Sequence, residues 1–187
     1  MKGARTLPWR YKAKNQREAK ERYFRFLRRS LGCVSNVDWY VASVRGSKTE
    51  LVALTNRSSV PLTCSDESLL FLRLAQNFHY EPHPDFPGEW KVKTDRYEYS
   101  LSRTETFENE LLAFHWHPGS DPTTPHVHVA LEGHPNFHKA HVPTRRIFLE
   151  DVVRLVIEDF GVEPLCEDWA ERLGDATDRV REFGSWR

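Results

Sequence analysis

The period of the apolar positions changes several times along the chain. From Arg17 to Leu31 they fall at Ala19, Tyr23, Phe26, Leu27 and Leu31, one stripe on a helix, with Lys20, Arg25, Arg28 and Arg29 elsewhere around it. Gly32 marks its stop. Trp39 to Val44 and Glu50 to Leu54 read as short strands joined by a turn at Arg45-Gly46-Ser47-Lys48. Ser65-Asp66-Glu67 offers an N-cap and early acids, which predicts a helix running to about Gln76. A proline-rich loop around Pro82, Pro84 and Pro87 follows. Period two then takes over: Trp90, Val92 and Thr94 alternate with lysines, and Tyr97, Tyr99 and Leu101 alternate with charges. Runs at Glu110 to His117 and His126 to Leu131 complete an antiparallel meander, because the gaps are mostly too short for parallel crossovers. Two helices close the chain. Glu150 to Phe160 carries Val152, Val153, Val156, Ile157 and Phe160 on one face with Gly161 after it; Asp168 to Phe183 spaces Trp169, Leu173, Ala176, Val180 and Phe183 as a packing stripe.

These elements predict an α+β fold in a single domain over 17–187: an antiparallel β-sheet meander with helices packed on one face and a basic N-terminal helix. Residues 1–16 read as a basic flexible arm. A chain of 187 residues is long enough for one full core and short for two. No stretch approaches the roughly 18 to 20 apolar residues of a membrane span, and the basic N-terminus lacks the apolar region of a secretory signal. Three scattered cysteines (Cys33, Cys64 and Cys166) argue against a disulfide framework and against a cysteine-ligated zinc site, and point to the reducing cytoplasm.

The net charge of zero conceals an asymmetry. Residues 1–30 hold eleven Lys/Arg against Glu18 and Glu21, a net +9 balanced by −9 over the remainder. Such an arm suits nucleic acid or an acidic partner, with Lys20, Arg25, Arg28 and Arg29 as candidate nucleic-acid-binding side chains; it equally suits a solvated basic helix that neutralises the acidic body.

Seven of the nine histidines lie between 115 and 141: His115, His117, His126, His128, His134, His138 and His141. Alternation puts Leu112, Phe114 and Trp116 on one face of their strand and His115 and His117 on the other; Val127, Val129 and Leu131 likewise oppose His126 and His128. If the two strands pair through residues 118–125, the four histidines form a square on the face away from the core. Imidazoles so placed can converge on one divalent ion (zinc, manganese, nickel or iron), or act as acid and base on a phosphodiester, since histidine titrates nearest neutrality. His115, His117, His126 and His128 are thus the candidate catalytic residues and the candidate metal ligands. Glu110, Asp121 and Glu132 are the nearest acids in sequence. Arg145 and Arg146 are candidate phosphate clamps, with Tyr97 and Tyr99 on a neighbouring strand as further candidate substrate contacts. His79 and His83 read as loop residues outside the cluster. Ala130 stands where the run of the histidine-triad nucleotide hydrolases has its third histidine, which excludes that assignment.

The order Tyr97-Glu98-Tyr99, then Phe114-His115-Trp116-His117-Pro118, then Pro125-His126-Val127-His128 and a Val/Leu-rich helix resembles the TumE family over about residues 90–160. These are toxins of bacterial and archaeal toxin–antitoxin pairs. The resemblance implies an essential face at His115, His117, His126 and His128 and a partner antitoxin. Three functions fit the sequence. One is a histidine-dependent nuclease or phosphodiesterase acting on RNA or nucleotides, with the toxin of a toxin–antitoxin pair as one form of it. The others are a metal-binding module or metal-dependent hydrolase, and a non-catalytic interaction protein for an acidic or nucleic-acid partner.

Overall fold

The computed structural model describes residues 13–43, 50–54, 59–84, 86–130 and 140–174. They form helix α1 (Gln16–Leu31), strands β1 (Trp39–Ser43), β2 (Glu50–Leu54), β3 (Val60–Thr63), β4 (Leu69–Pro82), β5 (Trp90–Ser102), β6 (Glu110–Trp116), β7 (His126–Val129) and β8 (Val142–Pro143), and helix α2 (Leu149–Glu158). All pairings are antiparallel, in the order β1-β2-β4-β5-β6-β7-β8, with β3 beside β2 along the same edge of β4. The expected α+β architecture is therefore present. The arm 1–12, the turn 45–48 and the final helix beyond Gly174 lie outside the described residues. Where the arm is described, Ala13 is fully buried and its carbonyl accepts a hydrogen bond from Trp90 N–H.

Both helices cover one face of the sheet. Phe24, Leu27 and Leu31 of α1 and Val152, Val153 and Val156 of α2 meet Leu72, Leu74, Phe78, Tyr97, Tyr99 and Leu101 in one core. Asn15 caps α1 by accepting from Glu18 N–H. Gly32 does end α1, with an ordinary right-handed conformation; a Cβ there would come within 2.7 Å of the Arg28 carbonyl oxygen. Gly161, after α2, does need its left-handed φ of 70°, a turn that lets Ser65 N–H reach the Gly161 carbonyl and clips the chain to β3.

The helix expected from Ser65 to Gln76 is instead the turn before β4 and the first half of that strand. Asp66 accepts from Ser68 N–H and Oγ–H in a tight turn, rather than capping a helix. Leu70, Leu72, Leu74, Gln76 and Phe78 then bury alternate side chains at period two. The acids at 66 and 67 resemble a helix start because turns and N-caps share the same residue types.

The two patterns at 90–94 and 97–101 are one strand. Phe78 pairs with Thr94 and Asn77 with Arg96, so Asp95 is an extra residue, a bulge that shifts the inward phase from even to odd numbers. Lys91, Lys93, Asp95, Arg96 and Glu98 consequently share the outer face with Asn77, His79 and Glu81 of β4.

Candidate metal centre

The outer face next to β5 is built by β6, β7 and β8. On the inner side Tyr99, Phe114 and Val127 are register partners, as are Leu112 and Val129; on the outer side His115 pairs with His126, and Ala113 with His128. The alternation expected for these strands is present, and it places the histidines away from the core. Their register differs from a square. His128 stands opposite Ala113, and β7 begins too late to give His117 a partner.

His115, His126 and His128 offer ligand atoms that all lie within 4.8 Å of one another, close enough to share a metal ion. His117 stays at the rim, its ring 5.5 Å from that of His115. The fourth imidazole of the cluster is His141. β8 pairs Pro143 with His126 and Val142 with Val127, and continuing that register sets His141 against His128. Its ring centroid lies 4.8 Å from those of both His126 and His128. Sequence alternation could not find it, because β8 is two residues long. His134 and His138 lie outside the described residues.

Local contacts orient the rings. His126 is buried, and its Nδ1–H donates to the Thr124 carbonyl at 2.9 Å, leaving the Nε2 lone pair for a ligand. His115 Nε2 is buried without a hydrogen-bond partner. An unsatisfied buried polar atom costs on the order of 1–3 kcal/mol, a cost that coordination to a metal would remove. Burial and, next, the neighbouring His128 lower the His115 pKa to about 4, so this imidazole is neutral at pH 7, the form that binds metals or accepts protons. Burial also lowers His117, opposed by Glu98. Two carboxylates border the cluster: Glu98 is the β5 partner of His115, and Glu110, raised by burial, interacts with His128. Glu98 is hidden in the sequence because it lies 17 residues from its partner.

Other expected site residues are elsewhere. Tyr97 and Tyr99 are buried on the helix-covered face, stacked 4.8 Å apart, and the Tyr97 hydroxyl accepts from Ile147 N–H. Burial raises both phenols. Arg145 pairs with Asp151, and Arg146 lies 3.5 Å over the Trp116 ring. None of these four joins the histidines. Lys20, Arg25, Arg28 and Arg29 are on α1, across the sheet from them. Asp121 is exposed in the β6–β7 loop, and Glu132 is outside the described residues. His83 does follow β4 in a loop, but His79 is on the strand itself. Cys33, Cys64 and Cys166 are free thiols. No described helix is long and apolar enough to cross a membrane.

Compared with protein-family models, curated proteins and solved structures, the chain matches none.

Proposed function

We propose that this protein is a metal-dependent hydrolase in which His115, His126 and His128 hold one divalent ion, with RNA or nucleotide phosphodiesters as its substrates. The observation that carries this reading is the convergence of three imidazoles, one of which, His115, keeps a buried and unpartnered Nε2. Three protein ligands suit hydrolytic zinc, leaving a position for water or substrate, and manganese, nickel and iron also accept imidazole. An ion held there would polarise a phosphoryl oxygen and lower the pKa of bound water. His141 is exposed at the rim, where an imidazole can carry a proton to or from substrate. The substrate class rests on the basic segment 1–30, which suits phosphates, and the TumE-like pattern over residues 90–160 would supply an antitoxin partner.

Elemental analysis of untagged protein is expected to find about one Zn, Mn, Ni or Fe per chain, and RNA cleavage that chelator suppresses. No near-stoichiometric metal, with no thermal shift on adding any of the four ions, would sink the metal assignment. Intact RNA after incubation with loaded protein would sink the substrate. The neutrality of His115 favours one second reading, metal-free acid–base catalysis with His115 as the proton acceptor. Its signature is chelator-resistant cleavage lost in His115→Ala.

A further inference from the structure

Beside the histidine cluster the outer face sinks into a concavity of about 590 Å³ lined by Asn77, His79, Asp95, Arg96, His117 and the 118–120 turn. That volume suits a small ligand or one unit of a larger one. Resting on the hydrolase reading above, we propose that this concavity binds an oxyanionic group of the substrate, with Arg96 as the anion-binding side chain and Asn77 as the residue that positions it.

The bulge at Asp95 supplies the arrangement, since it turns two consecutive β5 side chains, Asp95 and Arg96, to the outer face. Asn77 is buried, and its Oδ1 accepts from Arg96 Nε–H at 2.8 Å. This bond holds the guanidinium by one edge and leaves its two amino groups directed elsewhere. No carboxylate pairs with Arg96 among the described residues; Asp95 and Glu81 bond to other side chains, and Glu98 lies toward His117 and His115. His79 Nδ1–H donates to Asp95 at 2.8 Å, and Glu81 pairs with Lys91 at 2.9 Å and Lys93 at 3.6 Å. The concavity therefore holds an oriented guanidinium with no carboxylate bonded to it, the side chain best matched to phosphate or carboxylate, with Asp95 on the same wall held by His79. It is also continuous with the centre. His117 lines it, and the His117 ring is 5.5 Å from that of His115, so the concavity opens beside the metal-binding imidazoles with His117 between.

The test is calorimetric titration of full-length wild type, Arg96→Gln, Arg96→Lys and Asn77→Ala with inorganic phosphate, and with acetate in a second arm, metal content being measured on the same samples. Saturable binding of at least one anion is expected, weakened at least about tenfold in Arg96→Gln, partly restored in Arg96→Lys and reduced in Asn77→Ala, with metal content unchanged. The anion bound more tightly names the group. No saturable binding of either anion, or undiminished binding by Arg96→Gln, overturns the pocket. The two readings fail separately: a chain without metal that still shows Arg96-dependent binding removes the centre alone, and a metal-loaded chain without such binding removes the pocket alone.

Discussion

His126 is the best-defended side chain of the cluster: buried, its Nδ1–H held by the Thr124 carbonyl, and paired across the sheet with His115. Removing His126 or His128 is expected to lower metal affinity by at least about 100-fold, the upper end of what losing even an outer-sphere partner costs. His117→Ala should leave metal uptake near wild type, because that ring stands outside the converging group. Equal effects at 117 and 126, measured by competition with a chromogenic chelator, would contradict this ranking. Three of the four imidazoles in the cluster, His115, His126 and His128, are legible from alternation alone, since period two assigns a face without knowing the partner. His141 and Arg96 are not. His141 enters through a two-residue strand, and Arg96 reaches the outer face beside Asp95 only through a bulge that no composition signal marks.

At the level of elements, α1 and α2 meet through a buried polar contact, Ser30 Oγ–H donating to Glu150 Oε1 at 2.8 Å. Burial raises the Glu150 pKa above its usual 4.5, opposed by hydrogen bonds including that from Ser30. The folded state thus holds this proton more tightly than the unfolded one. Stability is full below the ordinary carboxylate range and declines as pH rises through it toward the raised folded value. Glu150→Gln keeps an acceptor for Ser30 and cannot ionise, so its denaturation midpoint should lack that decline and match or exceed wild type at pH 7. A wild-type profile no steeper than that of Glu150→Gln would refute the assignment. Ser30→Ala should cost about 1–3 kcal/mol by stranding a buried acceptor. Tyr97→Phe, which leaves Ile147 N–H unpaired, should cost about 1 kcal/mol with metal uptake unchanged, the mark of a residue serving the core. Phe24 of α1, buried in place of the half-exposed Phe26, falls outside the stripe read from the sequence. Ala19, Leu27 and Leu31 of α1 and the α2 stripe are readable, because their apolar positions recur at helical spacing. β4 is not, because turn and helix-cap signals coincide at Ser65-Asp66-Glu67, and only the pairing of Leu69–Leu72 with β3 resolves them.

At the scale of the molecule, the sheet among the described residues separates two chemistries: helices over apolar side chains on one face, histidines, lysines and carboxylates on the other. The +9 segment 1–30 and the histidine cluster are far apart in the sequence. If the basic segment captures RNA, replacing Lys20, Arg25, Arg28 and Arg29 together by Gln should weaken binding and flatten its dependence on log salt. The expected change in slope is about 3 to 4, near 0.9 for each duplex phosphate and 0.7 for each single-strand phosphate that is no longer neutralised. Filter binding at several salt concentrations reads the slope. An unchanged slope would mean that these cations serve the protein's own acidic body. Metal uptake should be unaffected in either case.

What the sequence by itself determined was periodic: which segments alternate at two, which at three to four, and therefore which face each histidine of β6 and β7 takes. Periodicity is local, set by backbone geometry within one element. The tertiary structure decided what depends on partners distant in the chain. Register set His128 against Ala113 instead of His115, the short strand β8 delivered His141, and the bulge at Asp95 brought Arg96 beside Asn77. A shift of register leaves the hydrophobic pattern of each strand untouched while changing every neighbour across it, so the pattern locates the face and only the pairing decides which histidines converge.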